Sequence, residues 1–159
     1  RQWESAANPA MDAGIRTAFL RTGIVLTPEG GALKKQLPLF RYGLGGKFGP
    51  GTQWQSWITL GDEVRAIEFL LTSSASGAVN LTAPNPVTNS DFTSILARVM
   101  HRPALLPIPS IVPKLLLGGE LVDSLLYSGQ RVNPLVLVRN GFSFSHPHLD
   151  EALRSLLNK

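Results

Sequence analysis

An α/β fold is predicted for this chain by three observations. Trp57-Ile-Thr-Leu60 is a short extended run that leads straight into an amphipathic helix; Gly23-Ile-Val-Leu26 is rich in strand formers; and Gly77-Ala-Val-Asn-Leu-Thr82 is another such run, with a helix downstream. Strands and helices alternating along one chain build a sheet with helical cover.

Residues 1–12 read as the end of a helix, with Trp3, Ala6, Ala7 and Ala10 near one face and Pro9 disturbing the last turn. An extended run over 15–21 continues into Gly23-Ile-Val-Leu26, the best candidate for a central strand, and stops at Thr27-Pro-Glu-Gly-Gly31. Residues 32–41 make a short helix with Leu33, Leu37 and Phe40 on one side, weakened by Pro38. A helix over 62–72 places Val64, Ile67, Leu70 and Leu71 at helical spacing. The two prolines of Ala83-Pro-Asn-Pro-Val-Thr-Asn89 fix a rigid turn, and the helix up to His101 takes its cap from Thr88, Asn89 or Ser90 and buries Phe92, Ile95, Leu96 and Val99. After Arg102-Pro103 and a proline-punctuated run, an apolar helix capped by Ser110 breaks at Gly118-Gly119 and resumes from Glu120 to Tyr127. The last helix starts at Pro147 and ends near Leu157, burying Leu149, Ala152, Leu153, Leu156 and Leu157.

Composition narrows the function classes. With 159 residues and 43% hydrophobic content the chain has the size of one domain and enough apolar side chains for a core. The absence of cysteine removes disulfides, thiolate nucleophiles and cysteine zinc sites together. A net charge of +4 is spread over scattered positions such as Arg16, Lys34, Lys47, Arg65, Arg98 and Arg139, which argues against a nucleic-acid partner. No run of 18 apolar residues is present, so no membrane partner is expected, and the location is expected to be cytoplasmic. The opening Arg-Gln-Trp-Glu reads as the cut end of a longer chain.

Gly43-Leu-Gly-Gly46-Lys-Phe-Gly49 has the spacing G-x-x-G-x-x-G, but a dinucleotide loop needs a strand before it and a helix directly after it. Here a helix or loop precedes the glycines and Pro50-Gly51 follow, so the stretch reads as a sharply turning loop. His146-Pro-His148 with Asp150 lacks a third ligand group, and capping suits it better than a metal. Neither Tyr42 nor Tyr127 has a lysine four residues on, so no catalytic residue is assigned. In the cluster Gln53-Trp-Gln-Ser-Trp57, strand alternation puts Gln53, Gln55 and Trp57 on one side and Trp54 and Ser56 on the other. Either one tryptophan is core and the other partly exposed, or the cluster lines a ligand.

Several of these stretches together resemble a known family: Leu20-Arg-Thr-Gly-Ile-Val-Leu26, Gln53-Trp-Gln-Ser-Trp-Ile58 followed by Asp62, Asn80-Leu-Thr-Ala-Pro-Asn-Pro-Val-Thr-Asn89, Gln130-Arg-Val-Asn-Pro134 and Gly141-Phe-Ser-Phe144. They resemble the C-terminal half of atypical extended short-chain dehydrogenases/reductases of the nucleoside-diphosphate-sugar epimerase-like kind, whose relatives are also labelled cell-division-inhibitor-like. The resemblance implies a parent about twice as long, with an N-terminal Rossmann half that holds NADP(H). Residues 1–30 would be a remnant of that sheet and its helix, and 31–159 a substrate lobe with an interleaved strand at about 77–82. It further implies Arg21, Thr22 and Gly23 as cofactor neighbours, and Gln53, Gln55, Trp57 and Arg131 as substrate-binding residues. Gln55 stands where sugar-nucleotide epimerases carry an arginine for the substrate diphosphate, and a neutral amide does not replace that fork. The implied function is an NAD(P)-dependent epimerase or oxidoreductase acting on a small molecule, inactive without its other half; the rival is a non-catalytic NADP(H)-binding regulator linked to cell division. Alone, so short a set of strands leaves open edges, and the chain is expected to form a homo-oligomer or to unfold in part.

Overall fold

The computed structural model describes residues 2–104 and 129–159. Two short helices, α1 (Gln2–Ser5) and α2 (Asn8–Asp12), stand where one helix end was expected. Pro9 is the reason, because it sits in the first turn of α2, where its missing N–H costs nothing. Then come β1 (Ala18–Thr22), β2 (Ile24–Leu26), α3 (Gly31–Arg41), β3 (Trp54–Gln55), β4 (Trp57–Thr59), α4 (Leu60–Thr72), β5 (Gly77–Leu81), β6 (Val87–Thr88) and α5 (Asn89–Met100). Two more helices follow, α6 (Leu135–Arg139) and α7 (Leu149–Leu157). The expected proline segment at 105–109 and the helices around Gly118-Gly119 lie outside the described residues.

The strands pair two by two. β1 runs parallel to β5 with Leu20 opposite Val79, β2 runs parallel to β4 with Val25 opposite Ile58, and β3 is antiparallel to β6. The single run expected through Gly23 is therefore two strands with different partners. The Gly23 N–H donates to the Leu81 carbonyl at 3.0 Å, and the next amide, Ile24, donates to the Ser56 carbonyl at 2.8 Å. Within one residue the chain leaves β5 and joins β4.

Two apolar clusters hold these pairs. Leu26, Leu33, Leu37, Phe40, Trp57, Phe92, Leu96, Val99 and Leu153 join β2, α3, α5 and α7, while Ala66, Leu70, Val79, Leu81, Leu137 and Phe142 join α4, β5 and α6. The buried face of α3 is the expected one, and Pro38 sits on its exposed side. Thr88 caps α5 in a capping box with Asp91, which resolves the three candidate caps. α6 had no counterpart in the sequence reading, being only five residues long.

The face of α4 differs from the expected one. Asp62, Glu63, Ala66 and Leu70 are buried, whereas Leu60, Val64, Ile67 and Leu71 are 42, 48, 37 and 73% exposed. Two carboxylates displace the apolar stripe, Asp62 accepting two backbone N–H groups inside and Glu63 the Thr22 hydroxyl. The stripe is left without cover in the described chain.

Candidate functional site

The strand handover at Gly23 is the centre of the site. A Cβ at Gly23 would lie 2.4 Å from the Ser56 carbonyl oxygen and 2.8 Å from the Thr82 methyl, so only glycine lets the backbones approach this closely. Just before it, the Thr22 hydroxyl donates to Glu63 Oε1 at 2.9 Å. Arg21 turns outward and holds Glu4 of α1 through Nε and Nη2, at 2.8 and 3.0 Å. That hydrogen bond and the charge of Glu4 raise the Arg21 pKa further.

A segment at 130–133 lies over this junction. The Ser56 hydroxyl donates to the Gln130 carbonyl at 2.7 Å and accepts from the Val132 N–H at 2.9 Å. Thr82 Oγ1 donates to the Val132 carbonyl and Asn80 Nδ2 to the Asn133 carbonyl. Between these anchors Arg131 stays exposed, with its guanidinium 4.9 Å from the centre of the Trp54 ring.

The four expected substrate residues fall on two faces. Gln53 donates to the Phe48 carbonyl at 3.1 Å, Gln55 is 5% exposed, and Trp57 is wholly buried with its indole N–H on the Asn85 carbonyl at 3.0 Å. Arg131 and Trp54 occupy the opposite side, so the alternation read from the sequence is the one the strands adopt. Gln55 lines a small cavity of about 10 Å³ with Ile24, Leu26, Gln36, Phe48 and Trp57, and its buried Oε1 has no hydrogen-bond partner. That volume holds about one water molecule.

The glycine stretch is a structural loop. It follows α3 and precedes β3, the Phe48 N–H donates to Asn89 Oδ1 at 2.8 Å, and Gly45 lies against the Phe40 ring, where a Cβ would be 2.6 Å away. His146 gives its backbone N–H to Asp62, and His148 Nδ1 is 3.3 Å from Asn85 Nδ2. Among the described residues no group of three histidines or acids could hold a metal ion, and no helix is long and apolar enough to cross a membrane.

Glu63 is the site residue that sequence reasoning missed. It is 7% exposed, its Oε2 is buried without a partner, and burial raises its pKa against the opposing effect of the Thr22 hydrogen bond. An acid in the first turn of a helix ordinarily marks a favourable dipole contact, and nothing local announces its burial. Because the folded-state pKa lies above the unfolded one, Glu63 supports the fold when protonated, and that support is lost as pH rises through the folded-state value. Glu63→Gln is therefore expected to raise Tm by about 2–4 °C at about pH 8 and to change it little at about pH 4. Thermal melts at the two pH values check this.

Comparison with known proteins places this geometry. Residues 108–156 match the domain of unknown function DUF1731. An epimerase family protein of Mycobacterium tuberculosis is 47% identical over 152 residues, which is 95% of this chain and 50% of the relative. The crystal structure of human epimerase family protein SDR39U1 (isoform 2) with NADPH superposes with a TM-score of 0.83 at 34% identity, over 91% of this chain and 49% of the human one. The chain has the fold of the extended short-chain dehydrogenases/reductases. It corresponds to a C-terminal part of that fold and spans about half the length of the curated relatives it matches. A nucleoside-diphosphate sugar epimerase from Corynebacterium glutamicum, also 34% identical, matches over 98% of this chain and 29% of its own, with a TM-score of 0.71. Within this fold, the junction at Gly23 is the carboxyl end of a parallel strand pair, the edge where α/β folds bind their ligands.

Proposed function

We propose that this chain supplies the last sheet strands and the substrate wall of an NAD(P)-dependent oxidoreductase or epimerase acting on a small molecule. The observation that carries the reading is the handover at Thr22–Gly23, where β1 ends at an open strand edge and the anchored 130–133 segment brings Arg131 alongside. In this reading Arg21, Thr22 and Gly23 border the cofactor, which is NADPH in the human relative. The cofactor half continues the sheet from the edge of β1 not taken by β5, and covers Leu60, Val64, Ile67 and Leu71 of α4.

Arg131 on Trp54 is the substrate contact, while Gln53, Gln55 and Trp57 brace β3 and β4 from behind. Gln55, neutral and buried away from Arg131, offers no fork for a diphosphate, which favours a substrate other than a nucleotide sugar. The test uses a polypeptide in which this chain follows the N-terminal half of the Mycobacterium tuberculosis relative. NADPH is expected to bind it, and Arg131→Ala to raise the substrate KM about tenfold with NADPH affinity unchanged. No NADPH binding by a folded two-half polypeptide sinks the proposal.

A further inference from the structure

Away from the handover, three helix C-termini converge. Arg41 ends α3, Arg102 follows α5, and Lys159 follows α7, and together with Leu37, Met100 and Leu157 they line a pocket of about 320 Å³. This is the size of a small-molecule site, and it shares no residue with the junction.

Basic side chains at helix C-termini ordinarily serve the helix, by bonding its last carbonyls. Here the backbone already does so. Gly43, His101 and Asn158 adopt left-handed conformations with φ of 73, 52 and 54°. The amides that follow them close each helix, Leu44 onto Leu39, Arg102 onto Ala97 and Lys159 onto Arg154, at 2.8, 3.0 and 3.0 Å. Of the three cations only Arg102 is used in packing, its Nε donating to the Arg41 carbonyl at 3.2 Å. None is in an ion pair, and no carboxylate side chain lines the pocket among the described residues. Three positive groups, with only Arg102 Nε engaged, stand over a floor of three apolar side chains.

We propose that this pocket binds a small amphipathic anion. The carboxylate or phosphate head is held by Arg41 and Arg102, whose guanidinium forks match paired oxygens, with Lys159 as a third charge. The apolar chain or ring lies on Leu37, Met100 and Leu157. Neither half of the ligand suffices, because an exposed charge contact is weakened by salt and an apolar floor alone selects nothing.

Phenyl phosphate, inorganic phosphate and phenol, titrated into the full chain and followed by calorimetry and by the Met100 methyl resonance, test this. Phenyl phosphate is expected to bind at one site and at least about tenfold tighter than either fragment. Arg41→Gln is expected to weaken it about tenfold with the melting temperature unchanged, since the substitution keeps the Arg41 backbone carbonyl that accepts from Arg102. Arg102→Lys, which keeps the charge and loses the fork, is expected to fall between. The proposal is overturned if inorganic phosphate binds as tightly as phenyl phosphate, or if Arg41→Gln binds phenyl phosphate like the parent.

Discussion

Gly23→Ala is expected to destabilise the chain by about 3 kcal/mol, a large share of the stability of a domain this size. The added methyl would sit 2.4 Å from the Ser56 carbonyl oxygen, an atom fixed by the Ile24 amide at 2.8 Å and by the β2–β4 pair around it. A side chain could swing aside; this backbone atom cannot move without breaking the bond that starts β2. The second contact, with the Thr82 methyl at 2.8 Å, is the softer one. Thr82→Ala in the Gly23→Ala background is therefore expected to recover only a small part of the loss. Urea unfolding of the two variants measures both effects. A Gly23→Ala protein with the parent midpoint would mean that the strand handover tolerates a shift of several tenths of an ångström.

Asp62→Ala is the second large effect, at about 3 kcal/mol. The carboxylate is 1% exposed and accepts the Ser145 N–H at 2.8 Å, the His146 N–H at 3.0 Å and Arg65 Nη1 at 2.8 Å. Its loss orphans two partly buried backbone donors, at about 1–3 kcal/mol each, and frees the residues before α7 from the first turn of α4. Arg65 contributes less to the loss, because it is half exposed and keeps the Ser143 carbonyl and the Phe142 ring. Asp62→Asn retains one acceptor oxygen and is expected to cost about half as much. Equal losses for Ala and Asn would show that charge rather than hydrogen bonding holds the 145–146 turn, and a high-salt melt separates the two.

These two residues mark where local reading of the chain succeeds and where it stops. Gly23 reads locally as part of one strand, but it lies between β1 and β2, and that it is the point of exchange between two partners depends on Ser56 and Thr82, which are 33 and 59 positions away and are placed by β4 and β5. Asp62 reads in the sequence as the start of a helix, and Thr59 does cap that helix through the Asp62 amide. Its side chain was legible as a first-turn acid but not as the receptor for a turn more than eighty residues downstream. The same holds for α4 as a whole. Helical spacing located the helix correctly, yet an apolar stripe and a carboxylate pair competed for the interior, and only the donors at Thr22, Ser145 and His146 decide between them.

The sequence by itself determined the α/β class, the order of the main strands and helices, the two faces of Gln53 to Trp57, and the family whose C-terminal part this chain resembles. Periodicity, proline and glycine placement and capping act over a few residues, so they can be read along the chain. Tertiary structure alone decided which strand pairs with which, the close crossing at Gly23, the burial of Asp62 and Glu63, and the convergence of Arg41, Arg102 and Lys159. Each of those depends on groups distant in sequence meeting in space, where desolvation and hydrogen-bond geometry select the partner.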